Sequence, residues 1–240
     1  MHEPVLSLHQ IGACYWRRTG WLRGEAYWAL RDVSFTLYRG ESLGVIGRNG
    51  AGKSTLLQVL AGILSPDRGR LINHGVRPAL LSLQIGFLPY LTGRQNAVLS
   101  GILLGLSRRQ VERHLDEIQA FAELGEFFDL PIDTYSSGMR ARLGFAVAIR
   151  LEADVLLIDE VLAVGDADFR KKSTEVLKNK IRSDKTVVIV SHNAGMLRQL
   201  CDRVVWIEEG VSRMEGPTAE VLKAYEQRSP TEGRLRAPAK

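Results

Sequence analysis

Apolar and polar positions alternate loosely over Val5 to Ile11 and again over Val33 to Leu37, and each stretch runs into turn chemistry. Both are therefore predicted as strands of an exposed sheet. Between them, Arg17, Arg18, Gly20, Trp21, Leu22, Arg23, Gly24, Tyr27 and Trp28 mix basic and aromatic residues with no clean period. This stretch, 16 to 28, reads as an inserted loop or a short amphipathic helix. Two roles stay open for it: tryptophans packed on their own domain, or an interfacial element facing lipid headgroups or a membrane partner.

Further on, Ser42 to Ile46 is predicted as a buried strand, Lys53 to Ala61 as a helix and Ser65 to Gly69 as a turn. Ser107 caps the next helix, with Gln110 completing a capping box and Val111, Leu115, Ile118 and Ala122 on one face. Ser137 to Ile149 is a second helix, with Ser137 itself taken as its N-cap. Val155 to Ile158 is a fully apolar strand, Ala167 to Ile181 a helix and Thr186 to Val190 a β-branched strand. Arg203 to Glu208 is a last strand, and Pro217 to Tyr225 a closing helix with proline in its first turn. From Arg228 onward the Pro, Gly and Arg content predicts a frayed tail. Strands alternating with helices imply a parallel sheet in an α/β fold, and no internal repeat is visible.

Composition narrows this picture. The 240 residues are 45% apolar and 25% charged, which excludes a disordered tail. Lys and Arg exceed Asp and Glu by 32 to 27, a net charge of +5, and the longest basic cluster is Arg170, Lys171, Lys172. That surplus is not gathered into the stripe of a dedicated nucleic-acid binder, and an anionic lipid surface would attract the same excess, so charge alone does not choose between those partners. Cys14 and Cys201 have neither CxxC spacing nor a histidine array beside them, against zinc or a disulfide framework. Met1 to Leu8 lacks the basic and apolar regions of a secretory signal. The most apolar run, Ala97 to Leu106, is too short to cross a bilayer. An intracellular protein, peripheral to any membrane, is the expectation.

The candidate chemistry begins at Gly47-Arg48-Asn49-Gly50-Ala51-Gly52-Lys53-Ser54, between a predicted strand and a predicted helix. This is a Walker A loop, whose backbone amides cradle phosphate oxygens at a helix N-terminus. Lys53 would bring positive charge to the β and γ phosphates of ATP, and Ser54 a hydroxyl for Mg²⁺. No third glycine completes a dinucleotide-binding Gly-x-Gly-x-x-Gly. The apolar strand Val155 to Ile158 ends in Asp159 and Glu160, a Walker B arrangement. Asp159 is placed to hold Mg²⁺ through water, and Glu160 to polarise the attacking water. His192 follows another strand's carboxyl end, where α/β folds bind ligands, while His2, His9, His74 and His114 read as structural.

Tyr135-Ser136-Ser137-Gly138-Met139, joined to the Walker loop, the Asp-Glu strand and the late histidine, makes the chain resemble the nucleotide-binding subunits of ABC transporters. In that family a Leu-Ser-Gly-Gly-Gln segment of one subunit closes on the γ-phosphate bound to the other. The Tyr-Ser-Ser-Gly-Met variant, the run Ile158 to Asp166, Leu91-Thr92-Gly93-Arg94 and Cys201 to Ile207 look like the polysaccharide-exporting branch, especially the Wzt-type subunits of O-antigen exporters. The resemblance covers roughly residues 5 to 227. It implies a P-loop NTPase of the ABC ATPase type: a mixed core sheet with an antiparallel β subdomain and a helical subdomain at about 91–150, in one domain over 1–227 before a flexible tail at 228–240.

The resemblance further implies ATP bound by Gly47, Asn49, Gly50, Ala51, Gly52, Lys53, Ser54 and Thr55, with Mg²⁺ at Ser54 and Asp159. Glu160, His192 and Lys53 would be catalytic. Ser136, Ser137 and Gly138 would reach the partner's nucleotide, Asp166 would lie in a loop crossing the dimer interface, and Tyr15 would stack on adenine, with Trp16 an equal candidate. Implied partners are a second copy, two copies of a transmembrane permease at the cytoplasmic face of the cytoplasmic membrane, and a lipid-linked polysaccharide, with no nucleic acid among them. One departure concerns the glutamine this family carries near Phe87 to Tyr90. Those positions read Phe-Leu-Pro-Tyr and Gln84 stands out of register, though the segment is still expected to form the docking groove. No carbohydrate-binding sandwich follows Tyr225, so recognition of a terminal sugar is not expected. Capsule or teichoic acid export is the nearest rival. A soluble ABC ATPase of DNA repair or the ribosome would carry a coiled-coil insertion or tandem cassettes, neither of which is present.

Overall fold

The structure, a computed structural model, describes residues 3–18, 24–81, 86–150, 153–159, 166–182 and 185–228. Two long strands open it, β1 (Pro4–Arg18) and β2 (Gly24–Tyr38), paired antiparallel from Pro4↔Tyr38 out to Arg18↔Gly24. Residues 16–18 and 24–28 are thus the arms of this hairpin, not a helix as one reading held. Strand pairing satisfies the backbone, so a stretch without helical period needs none. Trp28 packs inward beneath Arg68, 4.1 Å from its ring centre, whereas Trp16 is 77% exposed. Trp21, Arg23 and Gly20 lie outside the described residues. Val5 to Leu8 are consecutively buried, so this sheet is covered on both faces at its start rather than exposed.

Beyond the hairpin come β3 (Ser42–Ile46), α1 (Lys53–Leu60), β4 (Arg68–Asn73) and β5 (Pro78–Leu81). A helical stretch follows: α2 (Gly93–Leu103), α3 (Arg108–Arg113), α4 (Leu115–Ala122) and α5 (Ser137–Ala148). The chain closes with β6 (Val155–Ile158), α6 (Ala167–Arg182), β7 (Thr186–Ser191), α7 (Ala194–Leu200), β8 (Arg203–Glu208), β9 (Val211–Pro217) and α8 (Thr218–Arg228). Among the described residues the strands form one sheet in the order β4-β1-β2-β9-β8-β3-β7-β6-β5. Its β5-β6-β7-β3-β8 part is parallel and β1, β2 and β4 are antiparallel, with β9 joining the two. The sheet is therefore mixed. β3, β6 and β7 are buried at every position, as expected of central parallel strands sandwiched by helices.

Four local expectations need correction. The helix that starts at Ser107 does carry its capping box, but it breaks at His114 into α3 and α4. Ser136, not Ser137, caps α5, because its Oγ accepts the Met139 amide at 3.1 Å. Pro217 ends strand β9, and α8 starts one residue later. Gly69, expected within a turn, lies inside β4. Helices α2 and α7 and strands β4, β5 and β9 are elements that the pattern of apolar residues did not announce.

Candidate nucleotide site

Strand β3 delivers Gly47 to the carboxyl edge of the parallel sheet, and the loop turns there into α1. Gly50 and Gly52 have φ of 80° and 100°, a region L side chains rarely occupy. A Cβ on Gly47 would stand 2.3 Å from the Ile207 carbonyl oxygen, and one on Gly52 2.3 Å from that of Ala29. The loop is braced from behind by the β8–β9 turn. Glu209 and Gly210 both take positive φ there, and the Gly210 amide donates to the Ala51 carbonyl at 3.2 Å. Gly210 in turn accepts from the amides of Arg31 and Asp32, tying the loop to β2.

Lys53 is buried, and its Nζ donates to the carbonyls of Gly47 at 2.8 Å and Arg48 at 2.9 Å, folding the ammonium under its own loop. Helix α1 starts without an acidic residue in its first turn and without a capping side chain on Gly52. Its first amides therefore have no partner within the helix and form a positive end suited to an anion. Asp159 stands directly after β6, and Ser54 Oγ donates to its Oδ2 at 3.4 Å, joining positions 105 apart in the chain. Glu160 lies outside the described residues.

A cavity of about 330 Å³ opens beside this loop, walled by Asn49, Gly50, Gly52, Lys53, Ser54, Thr55 and Asp159 on one side and by Tyr15, Tyr27 and Ala29 on the other. The Tyr15 hydroxyl is 3.3 Å from Thr55 Oγ1 and donates to Gln58 Oε1 at 3.2 Å, so its ring is moored to α1. Trp16 does not line the cavity, because successive strand residues face opposite ways. Tyr27, the register partner of Tyr15, does line it, although the sequence marks it only as part of the basic and aromatic stretch and not as a nucleotide contact. Only the register of β1 against β2 reveals it.

The other expected residues fall elsewhere. His192 follows β7, the strand between β3 and β6, so it shares the carboxyl edge with the loop and Asp159 but is exposed and outside the cavity walls. Ser136 and Ser137 are exposed at the start of α5, with Gly138 beside them, and none lines the cavity of its own chain. Asp166 caps α6 by accepting the Phe169 amide at 2.9 Å, and that bond holds its carboxyl below the usual range. Gln84 is outside the described residues. In the segment expected to dock a partner, the Leu88 backbone is occupied by Asn96, whose Oδ1 accepts its amide at 2.7 Å. No group of three or more His, Cys, Asp or Glu able to hold a metal occurs among the described residues.

Residues 30–163 match the family described as ABC transporter. The O-antigen export system ATP-binding protein RfbB of Klebsiella pneumoniae is 46% identical over 206 residues, which is 86% of this chain and 84% of that protein. The teichoic acids export ATP-binding protein TagH of Listeria monocytogenes is 39% identical over 203 residues, 85% of this chain and 60% of that one. Among solved structures, a dimeric ATP-binding cassette in a post-hydrolysis state bound to ADP and Pi superposes with a TM-score of 0.72 at 23% identity, covering 89% of this chain and 98% of its own. The glycine-rich loop at the head of α1, the mixed sheet and the family match over more than half the sequence agree: this chain belongs to the ABC transporter family.

Proposed function

We propose that the chain is the ATP-binding and ATP-hydrolysing subunit of an exporter that moves lipid-linked O-antigen polysaccharide across the cytoplasmic membrane. It acts as a homodimer at the cytoplasmic face, peripheral to the bilayer and docked under two copies of a transmembrane permease. The observation that carries the reading is the approach of Ser54 to Asp159 at 3.4 Å beside the Walker loop. One hydroxyl and one carboxylate are a hard-oxygen set that suits Mg²⁺, which keeps most of its shell from water and phosphate. When bound, the ion neutralises charge on the phosphates. Lys53 and the first amides of α1 hold the triphosphate, and Glu160 orients water against it. His192 contacts the γ-phosphate from the neighbouring strand, while Ser136, Ser137, Gly138 and Asp166 act on the nucleotide of the partner copy. Catalysis is thus positioning and fixed charge. The exposed rings and side chains of Tyr90 and Leu130 give the permease an apolar foothold.

No helix among the described residues is long and apolar enough to cross a membrane, so the pathway through the bilayer belongs to a separate chain in this reading. Teichoic acid export is the second reading, supported by TagH, but identity and shared length both favour the O-antigen relative. The test is a pair of variants reconstituted with the permease in bilayers. Glu160→Gln is expected to bind ATP and accumulate as a dimer without turnover, and Lys53→Ala to lose nucleotide affinity. Hydrolysis by Glu160→Gln at the parental rate removes that carboxylate from its role, and failure of the parent to consume ATP ends the reading.

A further inference from the structure

Residues 88–96 and 127–136 are joined by backbone and side-chain hydrogen bonds. The Gly93 amide donates to Leu130 at 3.1 Å, the Ile132 amide to Leu91 at 3.0 Å and the Asp133 amide to Pro89 at 3.1 Å, and Thr92 pairs with Pro131 as an isolated antiparallel bridge. Asn96, fully buried, donates to the carbonyls of Leu88, Leu91 and Thr92 at 3.1, 2.9 and 3.0 Å. The Asn96 amide, fully buried, is one that burial would otherwise leave unpaired.

Tyr135 sits at the centre of this joint. Its ring is buried, and its hydroxyl donates to the Phe127 carbonyl at 2.6 Å. Its own carbonyl accepts from Arg140 Nη1 at 2.8 Å. Gly93 lies so close that a Cβ there would meet the Tyr135 hydroxyl at 2.1 Å and the Phe128 carbonyl at 3.0 Å. Gly93 has no positive φ, so crowding against tyrosine, not backbone freedom, is what requires glycine at this position. The residue after Tyr135 is Ser136, the cap of α5.

We infer that Tyr135 is a positioning residue: pinned at ring, hydroxyl and carbonyl and keyed into Gly93, it sets where Ser136 to Gly138 stand relative to the start of α2. This rests on the reading that Ser136 to Gly138 complete the partner's nucleotide site. A leucine at position 135 fills volume but cannot make the bond to Phe127, so the hydroxyl is the element that fixes the segment's register. A serine segment free to shift by about 1 Å loses up to about a hundredfold in a transition state that needs it in place.

The test uses the full chain at a temperature where circular dichroism shows every variant folded. In a Glu160→Gln background, sedimentation gives the protein concentration at half-dimerisation with ATP, and with Glu160 intact kcat is measured. Fluorescence of an N-methylanthraniloyl ATP analogue reports nucleotide binding by the monomer. Tyr135→Phe is expected to raise the half-dimerisation concentration and to lower kcat about tenfold, leaving analogue affinity within about twofold. Gly93→Ala should do more damage, and Gly93→Ala with Tyr135→Phe should recover part of it because the clashing hydroxyl is gone. Parental dimerisation and kcat in both single variants overturn the inference, as does loss of analogue affinity in step with dimerisation. Ser137→Ala separates the two readings: if it too dimerises like the parent, the serine segment does not act across the dimer and the underlying reading has failed.

Discussion

Tyr15 and Tyr27 line the cavity side by side while Trp16 does not, and this separates Tyr15 from Trp16, which sequence alone leaves as equal candidates, and adds Tyr27. An aromatic face stacked on a base contributes roughly 1–3 kcal/mol. Tyr15→Ala is therefore expected to weaken ATP binding by about 2 kcal/mol and Tyr27→Ala by about 1, with Trp16→Ala unchanged. Inorganic tripolyphosphate, which has no base, should bind all three variants alike. Titration calorimetry decides the matter: equal loss in Trp16→Ala, or loss of tripolyphosphate affinity in Tyr15→Ala, removes the base-stacking assignment. The Walker loop was legible because its chemistry is local, every participant lying within eight residues from Gly47 to Ser54. Tyr27 was not, because its place depends on a strand register that skips at bulges between Leu8 and Cys14.

Helices α4, α5 and α6 meet through three rings. Phe121 stacks on Phe145 with centroids 5.8 Å apart, and Phe169 meets both edge-on at 5.6 and 6.0 Å. Phe145 is fully buried at this junction, and Phe169 donates its amide to Asp166, so the ring cluster anchors the start of α6 as well. Phe145→Ala should cost about 3–5 kcal/mol, the transfer and cavity terms together, read as a lower urea midpoint with an unchanged slope. A loss below about 1 kcal/mol would mean that the helices close the gap by moving. The bounds of β3, β6 and β8 were readable since each is a short apolar run between turns. Helix α2 carries Gly93, Asn96, Ser100 and Gly101 on buried positions, so its apolar stripe is weak. Its signal was the capping box of Thr92 and Gln95 instead. Strand β9, Val-Ser-Arg-Met-Glu-Gly-Pro, is half-exposed and polar, which hides it from any apolar pattern.

At the scale of the whole molecule, the Walker loop is held between β3, the β8–β9 turn and β2, while Ser136 and Asp166 stand outside the cavity of their own chain. In the proposed function a nucleotide has two distinct consequences. Bound to one chain, it stabilises the fold by mass action, about 2.7 kcal/mol at a hundredfold excess over its dissociation constant. For a chain of this size about 1 kcal/mol corresponds to roughly 2–4 °C, so saturating ATP and Mg²⁺ should raise the Tm of Glu160→Gln by about 5–11 °C. Closing a second chain over the same nucleotide adds a term that depends on protein concentration, because dimers are favoured by mass action and monomers are not. The Tm of Glu160→Gln with ATP should thus climb as the protein is concentrated, and without ATP it should stay fixed. Lys53→Ala should lose both responses, and Ser137→Ala only the second. Differential scanning calorimetry over a hundredfold range of protein concentration separates these terms. A Tm that rises with ATP yet ignores concentration would place the whole nucleotide site within a single chain, and the exposed serine segment would then need another partner.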